Sequence, residues 1–168
     1  MITKAIKTAF NNKKNRNWDK LYWCIDLHDT IITGTYNKNN NGSKIAPNAI
    51  EVLSYLTGQE DHVLILWTSS YIGPVGEILK RLKQNGVEFN YVNENPECPN
   101  TDICDFTSKF YFNILIDDKS GFDLNTDWGL IKKELIDIKV QNKEISTKKL
   151  DDSTEIAKGG SVVNKNSK

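Results

Sequence analysis

Apolar positions in this chain gather into short runs that stop abruptly at polar clusters. Residues 22–30 begin as Tyr-Trp-Cys-Ile and end in Asp26, His28, Asp29 and Thr30. Residues 63–67 (Val-Leu-Ile-Leu-Trp) run into Thr68, Ser69 and Ser70, and residues 114–116 (Ile-Leu-Ile) run into Asp117 and Asp118. An apolar run of this length, bounded by polar residues, suits a strand buried on both faces. Each polar cluster then sits at a strand's carboxyl end, where ligands bind in open α/β sheets. Three parallel, adjacent strands would bring two carboxylate clusters and one hydroxyl cluster to one rim.

Between these runs the apolar spacing becomes helical. Ile2, Ala5, Ile6, Ala9 and Phe10 predict a short amphipathic helix over 2–10, broken by the Asn- and Lys-rich residues 11–17. Pro47 suits the first position of a helix carrying Ala49, Ile50, Leu53 and Leu56 and ending at Gly58. A second strand follows at 62–67. Pro74 then opens a helix with Val75, Ile78, Leu79 and Leu82 on one stripe, with Lys80, Arg81 and Lys83 near its carboxyl end and Gly86 as its stop. A short strand is expected at 89–92, a loop over 93–108 and a strand at 111–117. Trp128, Ile131, Leu135 and Ile138 mark a last helix, capped by Thr126 or Asp127.

This alternation predicts a parallel sheet covered on both sides by helices, with right-handed crossovers. Residues 31–45 contain Gly34 and an Asn-rich stretch ending in Asn41-Gly42, a hairpin signal, so a small β-flap is expected over the rim. The sixteen residues from 31 to 46 are too few for a separate cap domain. From Asn142 the chain turns to Lys, Asn, Ser and Gly, which predicts disorder. The expected organisation is an extension over 1–19, a domain over 20–141 and a polar tail over 142–168.

Composition sharpens this picture in three places. The 168 residues are enough for one domain with its own core. Net charge is zero, yet residues 1–20 carry +5, residues 21–141 carry −7 and residues 142–168 carry +2. An acidic centre argues against a general nucleic-acid surface and suits carboxylates gathered around a hard cation. No apolar run approaches the length that spans a bilayer, and residues 1–10 lack the continuous apolar core of a secretory signal. Cys24 falls in the first strand as a small apolar residue, and Cys98 and Cys104, with no neighbouring His, make a weak zinc pattern. A cytoplasmic protein is expected.

The rim residues carry the chemistry. A carboxylate such as Asp26, at a strand end beside a divalent cation, can attack phosphorus and form an aspartyl phosphate. Asp117 and Asp118 would repel Asp26 across neighbouring strands unless a cation lay between them, and Mg²⁺ prefers such carboxylate oxygens. Thr68 and Ser69 can donate to phosphate oxygens, although such residues also serve as plain caps. Lys109 can offset charge on the nucleophile and on a transferring phosphoryl group.

In this order (Asp26, His28 and Thr30, then 64–68, then Lys109, then Asp117 and Asp118) these residues resemble the four motifs of the haloacid dehalogenase (HAD) superfamily of phosphatases and phosphotransferases. The resemblance covers about residues 20–140. Residues 93–96 (Asn-Glu-Asn-Pro), and the short step from Lys109 to the Asp pair, resemble small capless members from bacteria and their phages. It implies a Rossmann-like parallel sheet. It also implies Asp26 as nucleophile, Thr68 as the phosphate-binding hydroxyl, Lys109 as the stabilising cation, and Asp117 and Asp118 as Mg²⁺ ligands with the backbone carbonyl of His28. One departure matters: His28 stands where the family's phosphatases have an Asp that protonates the leaving oxygen and activates water, and Asp29 stands where Gly is usual. Histidine can do acid–base work near neutral pH.

The leading expectation is therefore an Mg²⁺-dependent phosphohydrolase acting on a phosphorylated substrate, away from membranes, with an open site that a second subunit could close. A catalytically weakened domain that acts as a binding module is the alternative from another class. A nucleic-acid-end phosphatase is a third, which the open site allows and the acidic centre does not support.

Overall fold

Leu21–Asp26 forms strand β1, whose residues Leu21, Trp23, Cys24 and Ile25 are fully enclosed. The computed structural model describes residues 2–34 and 43–159, with side chains as far as Glu144 apart from Ile72. Contacts divide the chain into two compact units, 1–132 and 133–168. The first unit holds four parallel strands in the order β3-β2-β1-β4. β2 is His62–Trp67, β3 is Tyr91–Val92 and β4 is Ile114–Ile116. Helices α1 (Ile2–Arg16), α2 (Ala49–Thr57) and α3 (Ile72–Lys83) accompany them, and α4 (Asp127–Gly159) starts in the first unit and continues in the second. This is the expected α/β, Rossmann-like arrangement, with no separate cap among the described residues.

β1 is central because it is apolar on both faces. It pairs with β2 along its whole length, from Leu21 against His62 to Asp26 against Trp67, and with β4 from Trp23 against Ile114 to Ile25 against Ile116. β3 and β4 are shorter than the expected 89–92 and 111–117 because asparagine side chains finish the ladders. Asn90 Oδ1 accepts from Leu64 N–H at 2.8 Å and Asn113 Oδ1 from Tyr22 N–H at 2.8 Å. The segment 93–113 lies against the face bearing Tyr22, Trp67 and Tyr91. Glu97 accepts from both tyrosine hydroxyls, and the Phe110 ring meets Trp67 at 5.4 Å.

Four helix boundaries differ from the periodicity, the first being α3, which begins at Ile72 so that Pro74 sits inside its first turn, where its missing N–H costs no helical bond. α1 does not break at Asn11 but runs to Arg16, with Lys13, Lys14 and Arg16 favourably placed at its carboxyl end. Asn17 then takes a left-handed φ of 53°, and Trp18 N–H donates back to Lys13 O at 2.9 Å, the usual helix-terminating turn. α2 starts two residues after Pro47, because Asn48 has φ 62° and lies outside the helix. The tail expected to be disordered from Asn142 carries α4 as far as Gly159, a stretch with no Pro and no Gly before its last residue to break the helix. The base of the flap is present as an antiparallel bridge between Ile32 and Ile45, with Thr33 N–H donating to Lys44 O at 2.8 Å. The Asn-rich tip at 35–42 lies outside the described residues, as do 160–168. No described helix is long and apolar enough to cross a membrane.

His62, at the start of β2, is buried between aromatic rings. Its Nδ1 accepts from Trp23 Nε1–H at 2.7 Å, and Phe10 lies 5.6 Å from it. Burial holds its pKa down at about 4, against a partial opposing pull from Asp61. Between pH 6.5 and about 4 the unfolded chain therefore binds a proton that the native chain does not, so stability falls as pH drops through this window. The loss approaches roughly 3 kcal/mol at its acid end. Urea unfolding across pH 4–7 should show a shallower acid decline for His62→Gln than for the native chain, and identical declines would rule this out.

Candidate metal centre

Asp26 ends β1 and points into a loop that the chain closes tightly on itself. Ile31 and Ile32 N–H groups both donate to Leu27 O at 3.0 Å, and Asp29 N–H donates to Ile32 O at 2.7 Å. Asp29 holds a left-handed φ of 56°, a conformation that Asp tolerates better than most residues. Its Oδ1 accepts from Gly34 N–H at 2.7 Å, and a Cβ on Gly34 would stand 2.5 Å from its carboxylate. Asp29 therefore closes the loop rather than joining the acidic cluster.

Thr30 binds the two strand ends together. Fully buried, it donates from Oγ1 to Asp26 Oδ2 at 3.1 Å and accepts from Asp118 N–H at 3.1 Å. Its own carbonyl accepts from Trp128 Nε1–H at 2.8 Å, which fixes the loop to the first turn of α4. On the other strand, Asp117 Oδ1 accepts from Lys119 N–H at 2.7 Å and caps the short 3-10 turn Asp118–Ser120. Lys119 Nζ pairs with the Asp118 carboxylate.

The result is one cluster. Asp26, Asp117 and Asp118 each offer a carboxylate oxygen, all within 4.8 Å of one another, and all three residues are half-buried. Desolvation raises the pKa of Asp26 above the ordinary carboxylate range, and the charges of Asp117 and Asp118 push the same way. The Leu27 N–H and the Thr30 hydroxyl oppose them. A set of hard oxygen donors at this spacing fits a small divalent cation such as Mg²⁺.

The other expected residues fall around this cluster to different degrees. Thr68 follows Trp67, the register partner of Asp26, and is buried. Asn93, at φ 58°, clamps it from both sides: Thr68 N–H donates to Asn93 Oδ1 at 2.8 Å and Asn93 Nδ2 donates to Thr68 O at 2.7 Å. Thr68 Oγ1 accepts from Ser70 N–H at 3.2 Å, which leaves its proton to donate elsewhere. Ser69 is exposed beside it. His28 is half-buried two residues beyond Asp26, its backbone bridged to Ile32. Lys109 is exposed in the segment before β4, with no hydrogen bond or ion pair to the cluster.

Sequence spacing did not single out Thr30, Asn93 or Lys119 for these roles. Thr30 carried a signal, a hydroxyl four residues past Asp26, but its second partner, Asp118, lies 88 residues away. Cys24 behaves as the buried apolar residue expected, its thiol pushed up to about 12 by burial and then by Asp117 and Asp26. Two cavities, of about 460 and 570 Å³, open at the amino end of the sheet, against Trp18, Tyr111 and Asn113. In the larger one the Glu97 carboxylate is held by Lys20, Tyr22 and Tyr91, whereas at the acidic rim three carboxylates meet.

No protein-family model matches the chain, and no curated protein matches it. Among solved structures it is similar to a conserved protein of Bacteroides thetaiotaomicron, at 26% identity and a TM-score of 0.53, over 70% of this chain and 91% of that one. The likeness supports the fold.

Thr30→Val keeps the side chain's shape and removes its hydroxyl, leaving Asp118 N–H and Asp26 without that partner. It should cost about 1–3 kcal/mol in urea unfolding, while Thr30→Ser should retain most of the stability. Equal losses in the two variants would show that the hydroxyl bridge contributes nothing.

Proposed function

We propose that the protein is a small Mg²⁺-dependent phosphohydrolase of the HAD type, acting through an aspartyl phosphate on Asp26. The observation that carries this reading is the meeting of Asp26, Asp117 and Asp118 within 4.8 Å at the carboxyl end of a parallel sheet. Two further features support it. Asp29 adopts the positive φ that suits the glycine usual at its position, and Thr68 opens the polar stretch directly beyond β2, one strand from Asp26.

Asp26, Asp117 and Asp118 would hold Mg²⁺, with the His28 carbonyl. The ion supplies charge neutralisation at the phosphoryl oxygens and the carboxylates. Asp26 then attacks phosphorus through one carboxylate oxygen as the ester oxygen departs, taking a proton from His28. Water, deprotonated by His28, breaks the acyl phosphate, releases inorganic phosphate and restores Asp26. Thr68 donates to a phosphate oxygen, with Ser69 beside it. Lys109 is within the same reading a cation that must swing from solvent to reach the phosphoryl group.

A weakened domain acting as a binding module is the second reading. The Lys119 ammonium already placed on Asp118, together with His28 in place of an acid, favours it. Hydrolysis of p-nitrophenyl phosphate with Mg²⁺ separates the two. The phosphohydrolase reading expects turnover by the native chain and none by Asp26→Asn. A silent native chain that gains turnover as His28→Asp would establish the second reading, and native-like turnover by Asp26→Asn would remove Asp26 as nucleophile.

A further inference from the structure

Trp67 is the one β2 residue left exposed, at 43% of its surface, whereas the five before it are buried. It is the register partner of Asp26 on the adjacent parallel strand. Paired residues on parallel strands project to the same face of a sheet, with backbones roughly 4.8 Å apart. The indole therefore flanks the Asp26 carboxylate on one face of the rim. Phe110 packs edge-on against it with ring centroids 5.4 Å apart, and Phe112 continues the line at 6.0 Å from Phe110. Phe110 is also the neighbour of Lys109 in sequence.

An indole held by an edge-on neighbour keeps its position while offering a face. Two rings would be a costly choice for merely closing the segment 93–113 over the sheet, because a third to a half of the indole still meets water. The rest of that face is lined by groups that already have partners, among them Tyr22, Tyr91 and Glu97.

Resting on the phosphohydrolase reading, we propose that the substrate is a phosphomonoester of nucleotide type, with its phosphate at Asp26 and its base stacked on Trp67. The acidic centre of the chain, −7 over residues 21–141, favours a mononucleotide over a polymer, whose further phosphates it would repel. Stacking on an aromatic face accepts any base, so the platform selects for a planar ring rather than for one base.

The test uses thymidine 5′-monophosphate and ribose 5-phosphate, which share a phosphorylated pentose and differ in the base. With Mg²⁺, the native chain should prefer the nucleotide, and Trp67→Leu should lower the ratio of kcat/KM values by roughly tenfold or more. Trp67→Phe should restore part of the preference. An unchanged ratio in Trp67→Leu would overturn the proposal. In a His28→Asn chain, which loses the proton donor but keeps all three carboxylates for Mg²⁺, the nucleotide should quench indole fluorescence excited at the red edge, and this quenching should vanish when Trp67→Leu is added. Quenching that survives the second substitution, or that is absent from the start, would overturn the proposal. A native chain that hydrolyses neither compound but shows Trp67-dependent quenching would retire the phosphohydrolase reading and uphold the stacking platform.

Discussion

Three carboxylates brought to one half-buried rim repel one another, and the groups that position them are set against that repulsion. Asp26, Asp117 and Asp118 reach within 4.8 Å of one another, and desolvation together with mutual repulsion raises the pKa of Asp26. Hydrogen bonds offset only part of that cost: one hydroxyl from Thr30, and backbone N–H groups from Leu27 and Lys119. The Lys119 ammonium sits on the solvent side and reaches Asp118. Under the proposed reading, a compact cation with several oxygen ligands, such as Mg²⁺, would offset the rest.

The fold meets this repulsion with rigidity rather than with extra charge. β1 is enclosed on both sides and paired along its length, so the position of Asp26 is set by the most buried part of the molecule. Thr30 then transmits that position to the β4 loop through Asp118, and Trp128 pins Thr30 from behind. The reciprocal Asn93–Thr68 pair does the same for the hydroxyl side of the rim. Loop residues at positive φ (Asp29, Asn93) are what allow these tight returns, and both are of the residue types that accept such a backbone most readily.

Much of this was legible in the residue order, for a definite reason. A strand buried on both faces must be a continuous apolar run, so β2 could be bounded from sequence to the residue, and the polar residues that end such runs mark the rim. What the sequence did not reveal depends on partners far along the chain. The short ladders of β3 and β4 follow from Asn90 and Asn113, whose amides replace main-chain partners on Leu64 and Tyr22. The bridging role of Thr30 depends on Asp118, and the helix that continues past Asn142 outweighs a composition that reads as disordered. Lys109 was placed by motif order alone, and in this structure it stands in solvent.

Calorimetric titration of Mg²⁺ into the metal-free chain tests the central claim most directly. The shared-cation account predicts one saturable site, lost when either Asp26→Asn or Asp117→Asn is introduced, since each strand end supplies part of the ligand set. Binding that persists unchanged in either variant, or no saturable binding by the native chain, would contradict it.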